Sequence, residues 1–325
     1  VQSFRFAAAD GAPPSFRAKA LSWVMAGGIF AGVLGPQLVN LTMDLWAPHL
    51  FAASYVAQAA VALASMAVLA GVDLPRPAGA AMHGAGRPLM RIVMQPGFLV
   101  AALCGAVTYA LMNLVMTSAP LAMRMCGLPI SDSNLAIQWH VIAMYGPSFF
   151  TGSLIARFGA RSVVAAGLAI TAAASASIAR TPCARIARTT RSYAASRTAA
   201  RKRSSGWMSG LAITAAAAAT GLAGITVAHF WGALILLGVG WNFGFVGASA
   251  MVLETHRPEE RHKVQAFNDF LVFGTMAVGS FSSGQLLAGY GWDAVNWVTI
   301  PPIALALAAL LLAGRPKEAA AGGRP

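Results

Sequence analysis

The chain has 325 residues, 57% of them hydrophobic and only 10% charged, with a mean hydropathy of +0.64. Soluble domains carry about 25% charged residues, so composition excludes an ordinary water-soluble globule and makes lipid the solvent for most of the surface. The net charge of +13 does not point to nucleic acid: the basic residues fall in short clusters between apolar runs, and eight of the 23 Lys and Arg lie in the single segment Arg180 to Arg203.

The first stretch, Val1 to Lys19, holds Arg5, Asp10, Arg17 and Lys19 and reads as a cytoplasmic loop entered partway, with part of the parent protein expected upstream. A membrane span needs about 20 mostly apolar residues. Runs that qualify cover 20–43, 48–71, 97–121, 134–156, 208–228, 230–253, 264–288 and 295–314. The expected fold is therefore all-α, a polytopic transmembrane helical bundle of about eight spans. Residues 72–96, with Pro75, Pro77, Gly79, Gly84, Gly86 and Pro88, read as a linker between two bundles. A further stretch, 162–179, is shorter and alanine-rich.

Lys and Arg set orientation, since they concentrate in cytoplasmic loops. One side carries fourteen of them, in the clusters Arg5 to Lys19, Arg76 to Arg91, Arg157 and Arg161, Arg257 to Lys263, and Arg315 to Arg324; the other carries Arg124, the Arg180–Arg203 segment aside. The fourteen-residue side is expected to be cytoplasmic, with both termini there, in a bacterial inner membrane. Trp46, Trp139, Trp231, Trp292 and Trp297 fall near the opposite ends of their spans, as an interfacial aromatic belt would.

Parity then finds one apolar stretch too many. An even number of spans must separate Arg161 from Arg257, yet 162–179, 208–228 and 230–253 all compete. The octapeptide Gly167–Ala174 recurs unchanged at Gly210–Ala217, with the basic segment between the copies. This reads as a local duplication or insertion over 162–206. Keeping eight positive charges inside favours the second copy, 208–228, as the span.

The run Gly152-Ser153-Leu154-Ile155-Ala156-Arg157-Phe158-Gly159-Ala160-Arg161 resembles the cytoplasmic loop signature of the major facilitator superfamily, Gly-x-Leu-x-Asp-Arg-x-Gly-Arg-Arg, with Ala156 in place of the Asp and Ala160 in place of a basic residue. Gly28, Gly32, Gly35 and Pro36 resemble the glycine–proline motif of the family's fifth helix, which is associated with exporters, although Leu38 and Val39 stand where a Gly-Gly pair is usual. The resemblance implies that the eight spans are helices five to twelve of a facilitator, in a chain lacking helices one to four. Residues 1–71 would then be the remainder of the N-terminal bundle, opening with the end of helix four. Residues 72–96 would be the central cytoplasmic linker, 97–315 the C-terminal six-helix bundle including the inserted 162–206, and 316–325 a cytoplasmic tail. It also implies secondary active transport of a small organic solute by alternating access, with proton-coupled export as one form, and a charge relay at Arg157 and Arg161.

Polar groups buried in lipid are costly and usually face the bundle interior. The candidates for a substrate cavity are Gln37 and Asn40; Asn113 and Thr117, which share a helix face; Gln138 and Tyr145, seven apart and also on one face; and Asn242 beside Trp241. Phe243, Met112 and Met116 would add an apolar lining suited to an amphipathic solute. His140, the one ionisable group well inside a span, and Asp269 are the proton-coupling candidates. The mixed-charge run Glu254–Lys263 reads as a solvated loop rather than a metal site. No metal, cofactor or nucleotide motif is present, so the expected partners are the bilayer, a small solute and protons, with no nucleic acid. Two other classes stay open: a non-transporting remnant of a transporter, and a polytopic lipid-modifying enzyme, which would need acids, His or Lys clustered at one membrane face.

Overall fold

A computed structural model describes residues 8, 12–13, 15–71, 86–179 and 227–313. In chain order the helices are α1 (Arg17–Ala26), α2 (Gly28–Thr42), α3 (Ala52–Ala70), α4 (Leu89–Val93), α5 (Pro96–Met125), α6 (Ile130–Tyr145), α7 (Ser148–Phe158), α8 (Ala160–Ala179), α9 (Val227–Leu253), α10 (Arg261–Trp297) and α11 (Ile300–Leu312), with a 3₁₀ turn at Pro258–Glu260. No strand occurs among the described residues. Among the described residues, six stretches are long and apolar enough to cross a membrane.

Local chemistry explains most boundaries. Pro96 opens α5 at a position whose N–H would have no helical partner anyway. Pro147 lacks the N–H that would continue the ladder, so the expected 134–156 span is broken into α6 and α7. Gly159 joins α7 to α8 at φ +81°, a conformation that side chains with a Cβ rarely adopt. Gly291 bends α10 at φ 80°, later than the expected end of the seventh span, and leaves Trp292 buried instead of in an interfacial belt. Trp46, Trp139 and Trp297 are exposed, as a belt requires.

The core lies around α5 and α9, which are largely buried, whereas α3 is almost wholly exposed. Lipid tails are as apolar as leucine, so helix association here rests on close packing rather than on burial from water. The tightest contact joins α8 to α9. A Cβ on Gly167 would strike the backbone of Gly240 and Gly244, and one on Gly247 would meet Val164. Gly240, Gly244 and Gly247 form one row along α9.

The packing bears on the first copy of the repeat alone. Charge distribution favours the second copy of the repeat as the membrane helix. In the structure it is the first copy, within α8, that sits against α9; the second lies outside the described residues. Both copies carry the same glycine and the same face, so the repeated word cannot choose between them.

Candidate functional site

The candidate site is a seam where α1 and α2 run antiparallel to α6 and α7. On α6 one face presents Asn134, Gln138, Val141 and Tyr145, spaced as successive turns. A Cβ on Gly28 would meet the Tyr145 ring at 2.5 Å, and one on Gly32 would meet Val141 at 2.7 Å. Further along, Gln37 Nε2 donates to Gln138 Oε1 at 2.7 Å, and Asn134 Nδ2 donates to Asn40 Oδ1 at 2.6 Å. The seam continues into α1 and α7, where Gly152 lies against the backbone of Ala18 and Lys19. The glycines thus admit close approach at one end, and amide pairs join the helices at the other. Gly35 has open space beside it, and Pro36 lies inside α2.

Behind Tyr145 stands an aromatic cluster. Trp241 is fully buried, its ring 5.7 Å from Tyr145, 5.5 Å from Tyr109 and 5.0 Å from Phe245 between centroids; Tyr109 also meets Phe273 at 5.7 Å. Trp241 stacks on Phe245 while the other pairs meet edge to face, and both arrangements add specific attraction to the packing. Met112 is buried in the core, and Phe243 is half-buried.

Asn242 is also fully buried. Its Nδ2 donates to the Met144 carbonyl at 2.7 Å and to Ser148 Oγ at 2.6 Å, and its Oδ1 accepts from Thr151 Oγ1 at 2.6 Å. Those partners straddle the break between α6 and α7. Asn242 therefore satisfies polar groups that Pro147 disturbs. His140 is fully buried, with Nδ1 2.6 Å from the Leu234 carbonyl and Nε2 without a partner among the described residues. Asn113 and Thr117 lie on α5, where the Thr117 hydroxyl donates to the Asn113 carbonyl at 2.8 Å. Asp269 is half-buried on α10 beside Asn268. The larger of two described cavities, about 280 Å³, is lined by Leu154, Phe158, Ser162, Val163, Ala166 and Phe243; it shares no residue with the seam.

At the basic end, Arg157 is exposed and stacks over the Phe158 ring. Arg161 donates to the Leu310 carbonyl at 2.8 Å, in the last turn of α11, where a cation meets the negative end of the helix.

The run Glu254–Lys263 is not a merely solvated loop. Glu260 is fully buried. Its Oε1 accepts from the Arg87 backbone N–H and from Arg87 Nε, both at 2.9 Å; its Oε2 accepts from an Arg87 terminal nitrogen at 2.7 Å and from the Arg257 N–H at 3.0 Å. Lys263 Nζ donates to the Arg87 carbonyl. The Arg87 side chain and the amides of Arg257 and Arg87 hold the Glu260 carboxyl well below the usual carboxylate range, against the opposing cost of burial. Sequence reasoning missed this clasp because its partners are 173 residues apart.

Hydrogen bonds to charged groups contribute about 1.5–3 kcal/mol, so Glu260→Gln is expected to lower stability by about 2 kcal/mol at pH 7. A depressed carboxyl stabilises fully above its unfolded pKa, about 4.3, and that contribution fades as pH falls toward the native value. The difference between wild type and variant should therefore shrink below about pH 4. Thermal unfolding in detergent at both pH values measures this; a constant difference would contradict the clasp.

No family model matches the chain. It is 43% identical over 323 residues to the riboflavin transporter RfnT of Brucella anthropi, covering 99% of this chain and 70% of that protein. It is 29% and 28% identical to two uncharacterised MFS-type transporters of Bacillus subtilis, over 90% and 87% of this chain and 62% and 59% of theirs. Among solved structures it resembles an outward-facing bacterial homologue of the iron transporter ferroportin, with a TM-score of 0.53 at 16% identity, covering 94% of this chain and 65% of that one. The structural likeness bears on fold alone, while the sequence likeness extends over nearly every residue described above. Apolar helices, a seam built on Gly28 and Gly32, and relatives named as transporters agree: the chain is an integral membrane protein of the major facilitator superfamily of transporters, not an enzyme.

Proposed function

We propose that this protein moves a small planar aromatic solute across the membrane by alternating access, with riboflavin the first solute to test. One observation carries the reading: two amide pairs join α2 to α6 along a seam in which Tyr145 also stands, against an aromatic cluster. Tyr145, backed by Trp241 and Tyr109, would meet a flat heterocycle, and Gln37, Gln138, Asn40 and Asn134 offer donors and acceptors to its carbonyl and imide edge. The relative named as a riboflavin transporter supports that solute class. In a facilitator, two bundles rock about a central site; opening this seam would break the two amide pairs and expose their groups to solute.

The basic end, with Arg157, Arg161 and the Glu260 clasp, is proposed to face the cytoplasm of a bacterial inner membrane. Residues 1–71 and 97–315 are proposed as parts of the two bundles, joined by 72–96. Proton coupling is assigned to His140, whose Nε2 lacks a partner among the described residues, with Asp269 second.

The test is flux of labelled riboflavin in proteoliposomes, with and without an imposed pH gradient of either sign. Flux should exceed that of empty vesicles, and accumulation should require the gradient; its sign distinguishes import from export. Asn134→Leu with Gln138→Leu should lower flux about tenfold, the equivalent of about 1.4 kcal/mol, while His140→Ala should remove only the gradient dependence. Absence of flux for riboflavin and related flavins would reject the reading and leave the non-transporting form.

A further inference from the structure

The start of α1 and the segment after α9 enclose a second cavity of about 100 Å³, lined by Arg17, Leu253, His256, Pro258 and Arg261. Three of the five lining residues carry basic side chains, and none is an acid. Glu260 is clasped by Arg87, Glu254 feels the charge of Arg161, and Glu259 is exposed.

Two nitrogens of the lining residues are buried without a hydrogen-bond partner among the described residues: Arg17 Nε and His256 Nε2. The other His256 nitrogen, Nδ1, is 3.1 Å from the Arg257 carbonyl, where it donates. A buried guanidinium N–H left unpaired costs free energy on top of the repulsion between close cations. The cavity is roomy enough for an oxyanion with water, since one water occupies only about 30 Å³ of liquid volume. An anion there would accept from Arg17 Nε, and from His256 Nε2 wherever that nitrogen carries a proton.

We propose that this cavity binds a phosphate-class anion, either the headgroup of an anionic phospholipid or free phosphate. The bound anion ties α1 to the 253–261 segment. Because α1 packs on α7 and touches α9, it fastens one side of the seam to the other at the basic end. This site is separate from the solute seam, so failure of the riboflavin assay leaves it standing.

The test follows thermal unfolding of the full chain in neutral detergent after delipidation. Its arms are phosphatidylglycerol, phosphatidylcholine, and inorganic phosphate against chloride at matched ionic strength. Phosphatidylglycerol, phosphate or both should raise the midpoint saturably, and phosphatidylcholine and chloride should not. A response to lipid alone assigns the site to a headgroup, and a response to phosphate assigns it to a free anion. Arg17→Gln with His256→Gln should weaken the apparent affinity at least about tenfold, whereas Arg124→Gln, in the last turn of α5, should leave it unchanged. If the double variant does not fold, Arg261→Gln is read in the same way. No shift with either anion, an equal shift with phosphatidylcholine, or full retention in the cavity variants would overturn the proposal.

Discussion

Gly167→Leu is expected to abolish the folded protein. A single Cβ at this position already strikes the backbone nitrogen of Gly244 and the carbonyl of Gly240. Backbone cannot rotate aside as a flexible side chain can, so α8 and α9 would have to separate along their whole contact. Overpacking typically costs about 1–3 kcal/mol where side chains can adjust; here about 3 kcal/mol or more is expected, because in lipid close packing is the main force holding helices together. Size-exclusion profiles of the detergent-solubilised protein should show loss of the monodisperse peak, and Gly240→Leu should do the same from the other side. The outcome also decides between the repeat copies. Gly210 occupies the matching position of the second octapeptide, so if that copy can take the seat of α8, Gly167→Leu would be nearly silent.

Asn242→Leu should be the most damaging polar-to-apolar change in the core. It removes a donor from the Met144 carbonyl and from Ser148 Oγ, and an acceptor from Thr151 Oγ1. Thr151 has a fallback in the Pro147 carbonyl at 2.8 Å. Met144 and Ser148 lose the Asn242 amide as a donor in an environment without water. Leaving a buried polar group unsatisfied costs about 1–3 kcal/mol, so a loss of about 2–4 kcal/mol is expected for the two together. Thr151→Val should cost less, and the double variant should fall short of the sum because the residues share one bond. Denaturation midpoints of the four proteins in detergent give the cycle; additive losses would show that Asn242 does not act through this network.

Asn242 also shows where sequence reading stops. Its burial and place in an apolar run mark it as a polar residue with a task, but its neighbours on α6 and α7 lie about ninety residues away. The same holds along the seam. The spacing of Gln138 and Tyr145 puts them on one face without any structure, and Gly28 and Gly32 stand out as small residues one turn apart. That Tyr145 covers Gly28, that Val141 covers Gly32, and that Asn134 pairs with Asn40 required the antiparallel pairing itself. Asn134 and Val141 carry no signal of their own in the linear pattern.

Sequence alone determined the solvent and the architecture class. Apolar run length and charge content are local properties, and a bilayer admits few structures that satisfy every backbone group. The turn at Gly159 follows from one residue's own backbone chemistry; so does the break at Pro147, which nonetheless falls inside the run read as the single span 134–156. Tertiary structure alone decided how α8 sits against α9, why Trp292 is buried, and how a mixed-charge run became the Glu260 clasp. Those outcomes depend on which surfaces meet across 40 to 170 residues. Two identical octapeptides, or two equally charged loops, differ only in the partner that the fold brings to them.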